Sequence, residues 1–255
     1  MFLLRYNKTR FVNIFLWAAL DIVLWGFITK YFSLFASSST VSLVGILLGA
    51  IIFWDFLIRV QQGIMLSFLE DVWSQNFLNL FSSPLTIKEY VAGLILTSII
   101  TSTAGLLFML VLAGVLFGYN IFILGLNFLF FLSILFLFGV ALGIVAIGIV
   151  FRLGPAAEWF AWPVPFVLAP FAAIYYPVSA LPPFAQYIAM FVPPSYAFEG
   201  MRSILNTGTV DYDMLFIGLG LAALFLVGAY FFFVFVYRYV LKTGLLVRFS
   251  AENIS

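Results

Sequence analysis

Long apolar runs separated by short polar stretches set the pattern of this chain. The runs cover Phe11 to about Phe35, Val41 to about Val60, Ile87 to Phe117, Ile121 to Phe151, Ala157 to Tyr176 and Met214 to about Tyr237. Each reaches or exceeds the roughly 20 residues that carry a helix across a hydrocarbon core. The pattern therefore predicts an all-α membrane protein of six transmembrane helices, one transmembrane domain over residues 1–255. Ser37–Thr40, Gln61–Gly63, Gly118–Asn120 and Arg152–Pro155 read as the connecting loops. No small-residue cleavage site ends the first run, so it is expected to be an uncleaved span. Gly45-x-x-x-Gly49 and Gly139-x-x-x-Gly143 predict close helix packing. Pro163, Pro165 and Pro170 predict that the fifth span is kinked or broken, with freed carbonyls facing protein or water.

Two stretches depart from this pattern. The first is Ser67 to Tyr90. Ser67-x-x-Glu70 has the form of a capping box, Leu69, Val72, Trp73, Phe77 and Leu80 recur at helical spacing, and Pro84 stops the pattern. The spacing predicts a short amphipathic helix lying on the membrane surface between the second and third spans. Thr86-x-x-Glu89 is a second capping box, opening the third span. The other departure is Pro177 to Gly208, where two short helical patterns meet at Pro193-Pro194. Neither is long enough to span, which predicts a re-entrant helical hairpin between the fifth and sixth spans. Pro182, Pro183, Pro193 and Pro194 would set its turns.

Charge fixes the expected orientation. With a cytoplasmic N-terminus and six spans, the inner ends hold nine basic residues, Arg5, Lys8, Arg10, Arg59, Lys88, Arg152, Arg238, Lys242 and Arg248. Only Lys30 and Arg202 lie outside, so both termini and the surface helix are expected in the cytoplasm and the hairpin outside.

Composition narrows the chemistry. Of 255 residues, 65% are hydrophobic and 8% charged, with a net charge of +1. That balance gives no reason to expect nucleic acid. The absence of Cys and His excludes thiolate and imidazole chemistry. No Gly-rich phosphate loop of the GxxxxGK[ST] form is present, and no catalytic, cofactor or metal site is expected on this chain.

The intramembrane charges are the remaining candidates. Asp21 lies well inside the first span, where a carboxylate must be paired or wetted. It would pair with a cation or a second copy, or line a pathway. Asp55 and Arg59, spaced i, i+4 with the acid first and placed near an inner end, read as an intrahelical pair. Glu158 suits the start of the fifth helix or a partner contact, and Glu199 with Arg202 would hold the hairpin.

In order and spacing these pieces resemble the ABC type-2 permeases, the transmembrane subunits of ABC exporters. The resemblance rests on Glu70 and the run FSSPLTIKEYVAG, and on Trp17–Phe27 with an internal Asp before Trp-Gly. It rests also on Tyr176-Pro177-Val178, Leu181-Pro182, Ile188-Ala189, Val192-Pro193, Tyr196, Arg202 and Gly208. It implies a half-transporter that pairs as a homodimer in the cell membrane above two ABC ATP-binding subunits, which would carry ATP and magnesium. It also implies that Leu69–Ser82 is a coupling helix. Leu69, Val72, Trp73, Phe77 and Leu80 would supply the buried contact, with Glu70 and Asp71 in its first turn. The hairpin would gate exit of the cargo. Sparse polar groups within the spans favour an amphipathic, lipid-like, drug-like or lipid-linked cargo. The alternative is a free-standing proton-coupled carrier with Asp21 and Asp55 as relay groups, against which stands the lack of an inverted repeat.

Overall fold

The computed structural model describes residues 8–34, 40–74 and 84–243, with side chains from Phe15 in the first helix and from Gly45 in the second. Every described residue is in a helix or a connecting turn. Four long helices precede the broken stretch: α1 (Lys8–Ser33), α2 (Thr40–Trp73), α3 (Ile87–Phe117) and α4 (Asn127–Leu153). Two short helices follow, α5 (Glu158–Ala161) and α6 (Val164–Leu168), then α7 (Pro183–Ala189), α8 (Pro193–Thr207) and the long α9 (Tyr212–Thr243). Five of these helices are long and apolar enough to cross a membrane: Phe15–Ser33, Gly45–Trp73, Ile87–Phe117, Asn127–Leu153 and Tyr212–Thr243.

Helix α4 is the axis of the bundle. Its face from Phe131 to Phe151 is buried against α2 on one side and α9 on the other. Gly139 and Gly143 make the approach to α2 possible. A Cβ on Gly139 would stand 2.9 Å from Val60 Cβ, and one on Gly143 2.9 Å from Ile64 Cβ. The second glycine pair serves the far end of α2. Gly49 faces Met201 of α8 and the Tyr119 hydroxyl, each 2.8 Å from where its Cβ would be. Burial there pushes the Tyr119 phenol well above its usual range.

The third span begins and ends where its sequence signals place it. Thr86 accepts from the Glu89 amide at 3.3 Å, and Glu89 Oε2 accepts from the Thr86 amide at 2.8 Å, a complete capping box. Gly118, at φ 66°, supplies the left-handed residue that ends α3. The fourth helix starts later than the pattern suggests. Ile121–Leu124 forms a 3-10 turn, and Gly125 at φ 55° separates it from α4.

The second helix departs most from expectation. It does not stop at Val60; it continues through Gln61–Gly63 and Ser67 to Trp73. Ser67 is no N-cap, since its hydroxyl donates to the Gly63 carbonyl one turn back at 2.8 Å. The physical reason is tertiary. Ile64, Met65, Phe68, Leu69 and Val72 extend the buried stripe of Leu57 and Val60 by more than three further turns. Gly63, which reads as a loop residue, sits directly against α3. A Cβ there would stand 2.9 Å from Ser98 Cα, and the Ser98 hydroxyl donates to the Val60 carbonyl at 2.7 Å.

The proline-rich stretch is broken, as its three prolines predict. Residues 155–176 form α5, α6 and short 3-10 turns at Pro155–Ala157 and Ala169–Phe171 rather than one rod. This stretch runs antiparallel along α2. Glu158 meets Trp73, the Ala161 carbonyl accepts from Gln61 Nε2 at 3.4 Å, and Phe166 packs edge-on to Trp54. Beyond it, α7 and α8 are the two short helices expected, with Pro193 and Pro194 opening α8 rather than lying between them. Pro183 and Pro193 each occupy the first position of a helix, where proline's missing donor costs nothing. Helix α8 is amphipathic, and its buried face packs on α4, α9 and α2.

Candidate functional site

The sequence-derived candidates fall into three separate places. The first is a cavity of about 610 Å³ between α1, α2, α3 and the broken stretch. From α1 it takes Trp17, Asp21 and Trp25, one helix face at i, i+4, i+8. From α2 it takes Ile51, Trp54, Asp55, Ile58, Arg59, Gln62, Gly63 and Leu66, again one face. Thr101 of α3 and Trp162, Phe166 and Tyr175 of the broken stretch complete the wall. Four of the chain's six tryptophans thus border one space. Trp25 and Tyr175 stack with ring centres 5.3 Å apart.

Within this wall Arg59 holds Asp55 through Nε, and through Nη2 at 3.4 Å, the i, i+4 pair expected from the spacing. Arg59 is 14 residues before the end of α2, so the helix continues well beyond it. Its stem lies on Gly105 of α3, where a Cβ would come within 2.8 Å of Arg59 Cδ. Asp21 is half-buried and feels the Arg59 charge, yet makes no hydrogen bond or ion pair among the described residues. Sequence reasoning singled out the three charges but not the aromatic wall; the i, i+4, i+8 recurrence of Trp17, Asp21 and Trp25 was the available signal.

Asp21→Asn should insert and fold at near wild-type yield, because an amide hydrogen-bonds without the burial cost of charge. Asp21→Lys should lower the yield of monodisperse protein severalfold, since it adds a cation beside Arg59 at membrane depth. Size-exclusion profiles of tagged variants read the difference. Equal yields would move Asp21 out of the span.

The second place is the Trp73 end of α2, where the predicted coupling residues are found. Leu69 and Val72 are buried in the chain's own core, so they are not open to a partner. Glu70 and Asp71 lie in the last turns of a helix rather than the first, where acids oppose the helix dipole. Asp71 is used internally, its Oδ2 accepting from the Tyr90 hydroxyl at 2.8 Å and tying α2 to α3. Trp73 alone of the five described coupling candidates is a large exposed apolar group, at 53%. Its indole donates to Glu158 Oε2 at 3.1 Å. Trp159 and Phe160 are exposed beside Glu158 in sequence. Phe77 and Leu80 lie outside the described residues.

The third place joins the hairpin to the broken stretch. Arg202 is buried and donates to the carbonyls of Ala173 at 2.5 Å and Ile174 at 3.2 Å. It also pairs with Glu199 at 3.2 Å, and Glu199 accepts from the Val178 amide at 2.6 Å. Ala173 is the one described non-glycine residue with positive φ, at 55°. Pro193 and Pro194 are buried in the first turn of α8, while Pro182 and Pro183 start the more exposed α7.

Compared with known families, residues 3–206 match the model described as ABC-2 type transporter. The chain belongs to the ABC-2 type transporter family. The match takes in the cavity, the Trp73 end and nearly all of α8, and stops before α9. None of the curated proteins compared with this chain matches it. Membership makes this ABC-2 chain a membrane-embedded ABC permease subunit in general terms, and the family normally pairs with an ATP-binding subunit.

Proposed function

We propose that this ABC-2 chain is one half of an exporter in the cell membrane, moving an amphipathic, lipid-like or drug-like substrate outward with ATP hydrolysed on separate subunits. The observation that carries this reading is the cavity at the depth of Asp21 and Arg59, large enough for an organic molecule, with aromatic side chains at six of its fifteen wall positions. No metal cluster of His, Cys, Asp or Glu occurs among the described residues, and the proposal assigns the chain no chemistry of its own.

Residues 155–176 act as the remaining crossing in this reading, broken where they border the cavity. That gives six crossings with both termini in the cytoplasm. Eight basic residues then lie inside, against Lys30 and Arg202 outside, with Arg59 in the span. A second copy would close the cavity along the exposed apolar face of α1, formed by Leu20, Leu24, Phe27 and Tyr31. The hairpin of α7 and α8 covers the outer end and gates exit. The engagement of Asp55 by Arg59 speaks against a proton relay through Asp55.

The ATP-binding subunit docks at the Trp73 end, with Trp73, Trp159 and Phe160 as the exposed anchors. A central aromatic of this kind costs about 2 kcal/mol or more on truncation. Trp73→Ala should leave insertion intact and reduce recovery of the ATP-binding subunit in pull-downs, along with substrate-stimulated ATP turnover. Trp73→Phe should be milder. Equal recovery by all three proteins would refute docking through this residue.

A further inference from the structure

We propose that the cavity selects hydrophobic organic cations, with Asp21 as the counter-charge and the tryptophan wall as the cation's seat. This deepens the exporter reading above and rests on it for the direction of movement, though not for binding itself.

Charge balance is the first consideration. Asp21, Asp55 and Arg59 are the charged groups of the wall, and they sum to one negative charge. Arg59 is bonded to Asp55 through two nitrogens and only reaches Asp21 through space, so the two carboxylates share one cation. Asp21 keeps a carboxylate within a transmembrane helix, with no hydrogen bond or ion pair among the described residues. A carboxylate so placed is unfavourable unless a cation or water meets it.

The described residues offer no second cation at this depth. Lys8, Arg10, Lys30, Lys88, Arg152, Arg238 and Lys242 all lie within about two turns of a helix end. Arg202 is engaged by two carbonyls and Glu199. A symmetric second copy brings the same inventory, because an isologous interface repeats one surface. Among the described residues no cation pairs with Asp21 directly, which leaves it open to a cation from outside the protein.

The surroundings say which kind. Small inorganic cations want several oxygen ligands; of the wall's other oxygen-bearing side chains Asp55 is held by Arg59 and the Thr101 hydroxyl bonds within its own helix, which leaves Gln62 and Tyr175. The wall supplies instead Trp17 and Trp25 one turn to either side of Asp21 on α1, Trp54 and Trp162 across the cavity, and the stacked ring of Tyr175. Aromatic faces attract a cation while accommodating an apolar body, and a desolvated site strengthens that attraction. A cavity of about 610 Å³ falls in the range that holds drug-sized molecules. One carboxylate and several indoles around such a volume are complementary to a bulky monocation with delocalised or shielded charge.

The test compares two ions of one shape and opposite charge. The full chain, purified in nonionic detergent, is titrated with radiolabelled tetraphenylphosphonium, and saturable binding is read by displacement with unlabelled ligand. Radiolabelled tetraphenylborate is titrated in a separate sample, because the two ions precipitate one another when mixed. The expected result is saturable binding of the cation, with the anion bound at least about tenfold more weakly. Asp21→Asn should weaken cation binding about tenfold or more, and Asp21→Glu should restore most of it. Trp25→Leu should weaken it less than Asp21→Asn does. No saturable cation binding, equal affinity for the anion, or unchanged affinity in a folded Asp21→Asn protein would each overturn the proposal. If Asp21→Asn fails to fold, the wild-type preference between the two ions still decides. Failure here with normal recovery of the ATP-binding subunit would remove the cargo class alone. Failure of both would remove the exporter reading as well.

Discussion

Gly143→Val is expected to destabilise the bundle by about 1–3 kcal/mol, and the double change with Gly139→Val by more. Even the first carbon of the new side chain would lie 2.9 Å from Ile64 Cβ and 3.2 Å from the Gln61 carbonyl oxygen. The obstacle includes backbone on α2, which no rotamer change can remove. The helices must separate along the seam that both bury most deeply, and the weaker apolar packing on each side adds to the strain. Gly220→Val is the control, because nothing lies within 4 Å of the position a Cβ would take there. Thermal melting of the three proteins in matched detergent checks the prediction. A Gly143→Val protein melting with the Gly220→Val control would mean that α2 and α4 do not meet along this line.

Arg202→Met is expected to cost about 2–4 kcal/mol, because it leaves two carbonyls and the Glu199 carboxylate short of their shared donor. Methionine fills similar space, so the loss reports polar pairing rather than a cavity. Arg202→Lys should recover only part of it. A point charge cannot reproduce the fork that reaches Ala173, Ile174 and Glu199 together. The damage should also be local. Amide hydrogen exchange should quicken between Phe171 and Val178, while the amides of α4 keep their protection. Uniformly faster exchange throughout the bundle would contradict a local clasp.

Much of the fold was readable from local signals wherever those signals agreed with burial. Thr86 and Glu89 cap α3 because nothing competes for that turn, and Gly118 ends it because only a left-handed residue fits. Pro163, Pro165 and Pro170 break the stretch after Glu158 for reasons internal to their own backbone. The sequence reading failed at Ser67–Glu70, where an equally good capping pattern was overridden. Leu69 and Val72 lie one turn beyond Met65 and Phe68 and are buried with them, and that burial outweighs a cap worth about 1 kcal/mol. Gly63 was misread for a related reason, since glycine marks a loop and a close helix approach alike. The cavity was legible only in halves. Trp17, Asp21 and Trp25 share a face, as do Trp54, Asp55 and Arg59, but nothing along the chain says that these faces meet.

The unbroken course of α2 has a mechanical consequence. From Arg59 to Trp73 is 14 residues of continuous helix with no proline, about 21 Å of stiff rod. The two points therefore move as parts of one lever, without a loop between them to absorb strain. A force applied at the Trp73 tip reaches the Asp55–Arg59 pair as tilt or rotation of the whole rod. Cavity geometry and tip position are thus a single degree of freedom. Gly63, part-way between them, is the fulcrum at which that lever bears on α3.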